Sequence, residues 1–239
     1  MDQLFSFTST TSEISQDFFP PIQLDKNYSY SIGLYSLNTY NSIPNIIEGE
    51  NNLFFYETLD ETFFLCTIPE GSYELEEIEQ IILEKLKKKH NKDVKFSLKP
   101  NTTTLKVELF CEYLVYNTFE TSILKILGFS TSELKPNITH YSDLPVQITS
   151  VNEINVECNL VAGSFRNGKP CHTIFAFYPD VPCGYKLSLL PSNILYLPVN
   201  TRTINNITLR LTDQHGKLVN FRGEDITIQL NLKKYGANI

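Results

Sequence analysis

Cys171-His172, with Cys183 beyond it, is the arrangement in this sequence best suited to covalent chemistry, because a thiolate beside an imidazole can serve as nucleophile and base. The neighbouring residues argue for a plainer role: Cys171 follows Gly168-Lys169-Pro170, and Cys183 occupies a Pro-Cys-Gly turn. Ser164 stands in A-G-S-F-R, which lacks the second glycine of a nucleophile elbow and its strand-to-helix setting. His90, His140, His172 and His215 form neither an H-E-x-x-H motif nor part of a spaced Cys/His quartet, so no metal site is expected. Glu76-Glu77 and Asp60-Glu61 are adjacent pairs, and adjacent residues on a helix do not share a face for acid–base work. Gly168-Lys169 lacks the rest of a phosphate-cradling loop. With no nucleophile, base and orienting group in one constellation, the sequence predicts no enzyme, no cofactor and no small-molecule substrate.

Charge narrows the partners. Lys85, Lys87, Lys88 and Lys89 are the one cationic cluster; it can touch nucleic acid, but such a run more simply offsets the negative end of a helix. The remaining cations are scattered in a chain of net charge −7, so no stripe for a nucleic-acid backbone forms and no nucleic-acid partner is expected. Met1–Thr11 is polar, without the basic start and apolar core of a signal peptide, and no run approaches the roughly 18 apolar residues of a span. The expectation is a soluble intracellular protein with no membrane partner. Five dispersed cysteines, an odd number with no C-x-x-C pair, read as reduced thiols. Sequons at Asn27, Asn101, Asn137 and Asn206 carry no functional weight without an export signal.

The elements that would position any site are mostly strands. Residues 1–27 are Ser/Thr-rich and close on Phe18-Phe19-Pro20-Pro21, which predicts an extended arm. From Tyr28 to Tyr40 apolar and polar residues nearly alternate, the period of a half-buried strand. Asn52–Tyr56 and Thr62–Ile68 predict a hairpin around an acidic turn at Glu57–Glu61. Ile78, Ile81, Ile82 and Leu86, after an acidic first turn (Glu74, Glu76, Glu77) and before the lysines, predict an amphipathic helix; Ser72 gives only an incomplete capping box. Val94–Leu98 and Thr103–Phe110 predict a second hairpin, Tyr113–Tyr116 a further strand, and Ser122–Leu127 a short helix stopped at Gly128. After Pro136 the texture is almost pure β. Val146–Ile148, Ile154–Val161, Thr173–Tyr178, Tyr185–Leu189, Ile194–Pro198, Asn205–Thr212 and Ile226–Leu232 are candidate strands, as in a sandwich or barrel that the 28–40 strand joins.

Phe5, Phe7, Phe18 and Phe19 have little local structure to pack into if residues 1–27 are an arm, which makes them candidate intersubunit anchors. Arg222 and Glu224 are read as an ion pair shaping the last turn and as further interface residues.

Thr39–Asn45 (T-Y-N-S-I-P-N), Ile68–Tyr73 (I-P-E-G-S-Y), Leu127–Phe129 (L-G-F), Tyr196–Asn200 (Y-L-P-V-N) and Thr212–Glu224 (T-D-Q-H-G-K-L-V-N-F-R-G-E) together carry a resemblance over most of the chain from Tyr28 onward. The sequence resembles the minor capsid (penton) proteins of the Polinton/Maverick and adintovirus group. That resemblance implies a mainly β fold, an antiparallel jelly-roll β-sandwich over 28–50 plus 136–239 with a small α+β insertion over 51–135. A compact double jelly roll is the architectural alternative. Major capsid proteins of the group are double jelly rolls too, but generally much longer, which favours the penton role. The resemblance implies a virion protein, a homo-oligomer with five copies around a vertex and the major capsid protein as partner. A major-capsid-like subunit and a receptor- or glycan-binding spike module are the alternative functions.

Overall fold

The computed structural model describes residues 2–57, 62–117, 121–147 and 151–236, and the chain packs as two units, residues 1–43 with 151–239 and residues 44–150. In chain order the elements are β1 (Gln3–Ser9), β2 (Glu13–Gln23), β3 (Ser29–Tyr40), β4 (Asn52–Glu57), β5 (Thr62–Thr67), α1 (Leu75–His90), β6 (Phe96–Asn101), β7 (Lys106–Cys111), β8 (Leu114–Tyr116), β9 (Glu133–Leu134) and β10 (Ile138–Tyr141). They continue with β11 (Ile154–Cys158), β12 (Ser164–Arg166), β13 (Lys169–Cys171), β14 (Thr173–Phe177), β15 (Lys186–Leu189), β16 (Leu197–Pro198), β17 (Thr203–Thr212) and β18 (Ile226–Tyr235).

In the first unit the antiparallel pairings nest: β1 with β18, β2 with β17, β3 with β15, and β11 with β14. This is a long doubled-back ribbon. Pairing of β3 with β18 and of β11 with β17 rolls it into two sheets, ordered β1-β18-β3-β15, with β16 also on β3, and β14-β11-β17-β2. Eight nested strands in two such sheets are a jelly roll. Side chains alternate across each strand, so Ile228, Leu230 and Leu232 of β18 and Ile207, Leu209 and Leu211 of β17 are buried in one shared core. Each such side chain contributes about 1.5–3 kcal/mol when fully buried. In β3 the alternation slips once. Leu230 pairs with Leu34 and Gln229 with Ser36, leaving Tyr35 as an extra, exposed residue and returning Leu37 to the core.

Residues 3–23 therefore do not form an arm. Phe5 and Phe7 face inward from β1 while Ser6 and Thr8 face out, and β2 buries Ile14; this two-residue period lies under the Ser/Thr content. β1 meets β18 over seven residue pairs, and β2 meets β17 from Glu13 to Gln23.

The second unit has its own core. Ile78, Ile82 and Leu86 of α1 are buried in one cluster with Leu53 and Phe55 of β4 and Leu98 of β6. Its strands form two sheets, β5-β4-β8-β9 and β10-β7-β6. This mixed composition excludes a second jelly roll. The N-cap of α1 is Glu74, not Ser72, and the Glu77 carboxylate accepts the Glu74 N–H at 2.8 Å. Ile46 is buried in this core, β10 pairs with β7, and Val146 packs against the cluster, which is why the unit reaches beyond residues 51–135 on both sides.

Other expectations shift in detail. Val146 and Gln147 donate to the Leu105 and Ile126 carbonyls without forming a strand, and Ile148 lies outside the described residues, as does most of the acidic turn at Glu57–Glu61. The strand expected at Ile194–Pro198 shortens to Leu197–Pro198. Ser122–Leu127 contains a 3-10 turn, Ile123–Lys125, capped by the Ser122 hydroxyl, which accepts the Leu124 N–H at 3.2 Å.

Candidate assembly surfaces

A jelly roll ends in four edge strands, here β1 and β15 in one sheet and β2 and β14 in the other. β1 and β2 lie on one side of the sandwich. Between them a groove of about 260 Å³ is lined by Phe5, Phe7, Ile14 and Phe18 with Ser6, Thr8 and Gln16. Phe7 is buried, and Phe5 and Phe18 are half-buried with the Phe18 ring edge-on to Phe5 at 5.8 Å. Three of the four predicted anchors are thus brought together by their own fold, which gives them the local packing an arm would lack. Phe19 is different. Asp17 pairs with Asn206 and Ile22 with Ile204, so Phe18–Pro21 bulge opposite Asn205 alone, and Phe19 is fully exposed at that bulge. Pro20 and Pro21 have no N–H, so two of the four bulge residues offer no donor to another strand.

The opposite side, along β14 and β15, carries exposed Phe165, Tyr178, Tyr185, Leu190 and Leu195. A pocket of about 290 Å³ opens between the β12–β13 hairpin and β14, with Phe165, Ile174, Phe175 and Leu195 as its large apolar lining. The pocket also contains Arg166 and Cys171. A ladder of alternating charge crosses this sheet: Arg210 pairs with Glu13 at 3.2 Å and with Glu157 at 3.5 Å, and Glu157 with Arg166 at 3.5 Å. Glu13, Arg210 and Glu157 are register partners on β2, β17 and β11, so each contact is a cross-strand pair worth about 0.2–1 kcal/mol.

The chemistry weighed in the sequence is dispersed. The Cys171 thiol meets the Ser164 hydroxyl at 3.4 Å, while His172 Nδ1 donates to the Val161 carbonyl at 2.8 Å. Thiol and imidazole are each engaged elsewhere. Burial raises the Cys171 pKa, but hydrogen bonds with Ser164 and Thr173 and the Arg166 charge outweigh it, and the net shift is downward. Cys66, Cys111 and Cys158 are buried free thiols pushed up by desolvation to about 11, 12 and 11. Among the described residues no three His, Cys, Asp or Glu side chains gather to hold a metal ion, and no helix is long and apolar enough to cross a membrane.

Arg222 and Glu224 are exposed, and no ion pair joins them among the described residues. The last turn is shaped by backbone instead: Arg222 and Gly223 both have positive φ, the Arg222 N–H donates to the Asn220 side chain at 2.8 Å, and the Glu224 N–H donates to the Phe221 carbonyl at 3.1 Å. Lys87 of the cationic cluster pairs with Asp93 at 2.8 Å beyond the C-terminus of α1.

The second unit has an apolar surface that the sequence reading did not single out. Phe63 and Leu65 of β5 are exposed, and the Phe63 ring lies 5.8 Å from that of Tyr116 on β8. Register sets Leu65 and Tyr116 opposite one β4 position, and Phe63 and Leu114 opposite the position two further along. The signal was the unbroken apolar run Leu53–Tyr56 opposite Phe63–Cys66, which is apolar at every position where a half-buried strand would alternate.

No family model matches the chain, and no curated protein matches its sequence. Among solved structures, the crystal structure of the mavirus penton protein aligns over 98% of this chain and 100% of that chain, with a TM-score of 0.51 and 10% sequence identity. The two proteins share a fold. The likeness spans both units of the present chain, the jelly roll and the α+β unit between its third and fourth nested strands.

Proposed function

We propose that the chain is a structural subunit of a viral capsid, a penton-type minor capsid protein that assembles as a ring of five at the shell vertices beside the major capsid protein. The observation that carries this reading is the end-to-end fold likeness to the mavirus penton protein, jelly roll and intervening α+β unit together. Exposed large apolar residues at both sides of the jelly roll support it, because a protein whose work is packing needs such surface at its edges. Cys171, His172 and Ser164, the residues best suited to chemistry, are committed to hydrogen bonds within the fold. On this reading the protein resides in the virion, and its work is the burial of on the order of 2,000 Å² at each permanent interface.

Negative-stain imaging and native mass spectrometry of the purified chain, alone and co-expressed with the major capsid protein, test this. Five-membered rings, or incorporation at shell vertices, are expected. A chain that remains monomeric at high concentration and stays out of shells, yet binds cells or glycans, overturns it in favour of a soluble recognition module.

A further inference from the structure

We propose that the bulge at Phe18–Pro21 and the pocket beside β14 are two halves of one interface: Phe19 of one copy seats in the β12–β14 pocket of the next. This rests on the shell-subunit reading and names the contact that would close the ring. Four observations converge on it. First, Phe19 is fully exposed on a bulge, and Pro20 and Pro21 remove two of its four backbone donors and so disfavour extension of the sheet there, which leaves the Phe19 side chain as the docking group. Second, the pocket, about 290 Å³, offers Phe165, Phe175 and Leu195 to an aromatic ring.

Third, β2 and β14 are the two opposite edges of the same sheet. A knob on one edge and a hole on the other make a heterologous contact, which propagates head to tail and closes into a ring when the rotation permits; a knob and hole on the same edge would make a two-fold dimer. Fourth, the charges match. Asp17 lies two residues before Phe19 and Lys169 lies in the hairpin beside the pocket, so docking brings an acid to a base; Glu13 and Arg166 are already paired within the subunit, with Arg210 and Glu157, and Glu153 stands at the pocket's far lining. Exposed Tyr178, Tyr185 and Leu190 flank the receiving edge and extend its apolar area.

Native Cys171 lines the pocket and supplies a direct test. In the full chain carrying Cys183→Ser, Phe19→Cys is introduced and the protein treated with diamide, which takes two electrons and two protons from a thiol pair. Disulfide-linked oligomers up to the ring size are expected on non-reducing gels, and Cys171→Ser should abolish them. In parallel, Phe19→Asp should weaken self-association by at least about tenfold in sedimentation velocity, as loss of a buried aromatic anchor does, with the unfolding midpoint of the isolated subunit unchanged. Rings that form normally yet give no cross-link and ignore Phe19→Asp overturn this inference and leave the shell-subunit reading standing. Cross-links that survive Cys171→Ser show that two bulges meet each other, and overturn it as well. A chain that stays monomeric with and without its shell partners overturns both.

Discussion

Phe7 and Phe19 lie in one short segment, are the same residue type, and should respond oppositely to truncation. Phe7 is 7% exposed and packs in the jelly-roll core, whereas Phe19 is 100% exposed. Phe→Ala in a core costs about 3–5 kcal/mol. Phe7 borders the open β1–β2 groove, where neighbouring side chains can close part of the void, so the lower end, about 3 kcal/mol, is expected for Phe7→Ala. That is a large fraction of the roughly 5–15 kcal/mol that holds a typical domain folded. Phe19→Ala removes no contact within the subunit and should change its stability by less than about 0.5 kcal/mol. The assay is urea unfolding followed by far-UV circular dichroism, since the chain has no tryptophan, at protein concentrations low enough to keep the subunit dissociated. With a urea slope of about 1–3 kcal/mol/M, Phe7→Ala should lower the midpoint by roughly 1–3 M while Phe19→Ala leaves it in place. Hydrogen exchange along β18, which is paired to β1 on one side and β3 on the other, assigns the loss to the first unit. A Phe7→Ala protein as stable as its parent, together with unprotected β1 amides in the parent, would mean that residues 1–27 are an arm after all.

Two further outcomes follow from local geometry and thiol burial. Gly128 and Gly216 have nearly the same φ, +84° and +82°, but a Cβ at Gly128 would collide with the Leu144 carbonyl oxygen while one at Gly216 meets nothing within 4 Å. Both alanine variants bear the left-handed penalty of about 1–2 kcal/mol; Gly128→Ala adds the clash and should cost about 3 kcal/mol or more in thermal or urea unfolding, and equal losses for the two variants would refute the steric part. Iodoacetamide at pH 8, read by intact mass, should modify exposed Cys183 and half-buried Cys171 first, leaving Cys66, Cys111 and Cys158 intact until denaturant is added. Their raised pKa values leave little thiolate at that pH, so early modification of any of the three would contradict their burial.

Much of the fold was legible because it is written in short-range periods. The 3–4 residue spacing of Ile78, Ile82 and Leu86 gave α1, and alternation gave β3, β17 and β18 to within a few residues. What failed was the reading of residues 1–27, where Ser, Thr and Pro content outweighed an alternation only a few residues long in each strand. The partners that make these strands, β18 and β17, are at the other end of the chain, and no local pattern announces a contact of that sequence separation. The same holds for residues 136–147. They fall in the span given to the sandwich, with no strand expected at Ile138–Tyr141, until β7 claims that segment for the second unit.

The assembly surfaces were less legible than the strands for a reason that follows from the nesting. An anchor is an apolar side chain that the subunit's own fold leaves uncovered, and whether a residue is covered depends on which strands finish at the edges. Phe18 and Phe19 show this most sharply. They are adjacent, chemically identical, and followed by the same two prolines, yet Phe18 turns into the β1–β2 groove and Phe19 into solvent. Their difference is set by the register of β17, where Asn205 stands alone opposite the Phe18–Pro21 bulge. Removing that mismatch by one residue in β2 would turn the outward side chain inward, because a one-residue slip exchanges the faces of a strand. A surface specified by the pairing of strands from opposite ends of the chain can be placed only after the pairing is known, whereas the residue types that populate it, aromatic and uncharged, were visible from the start.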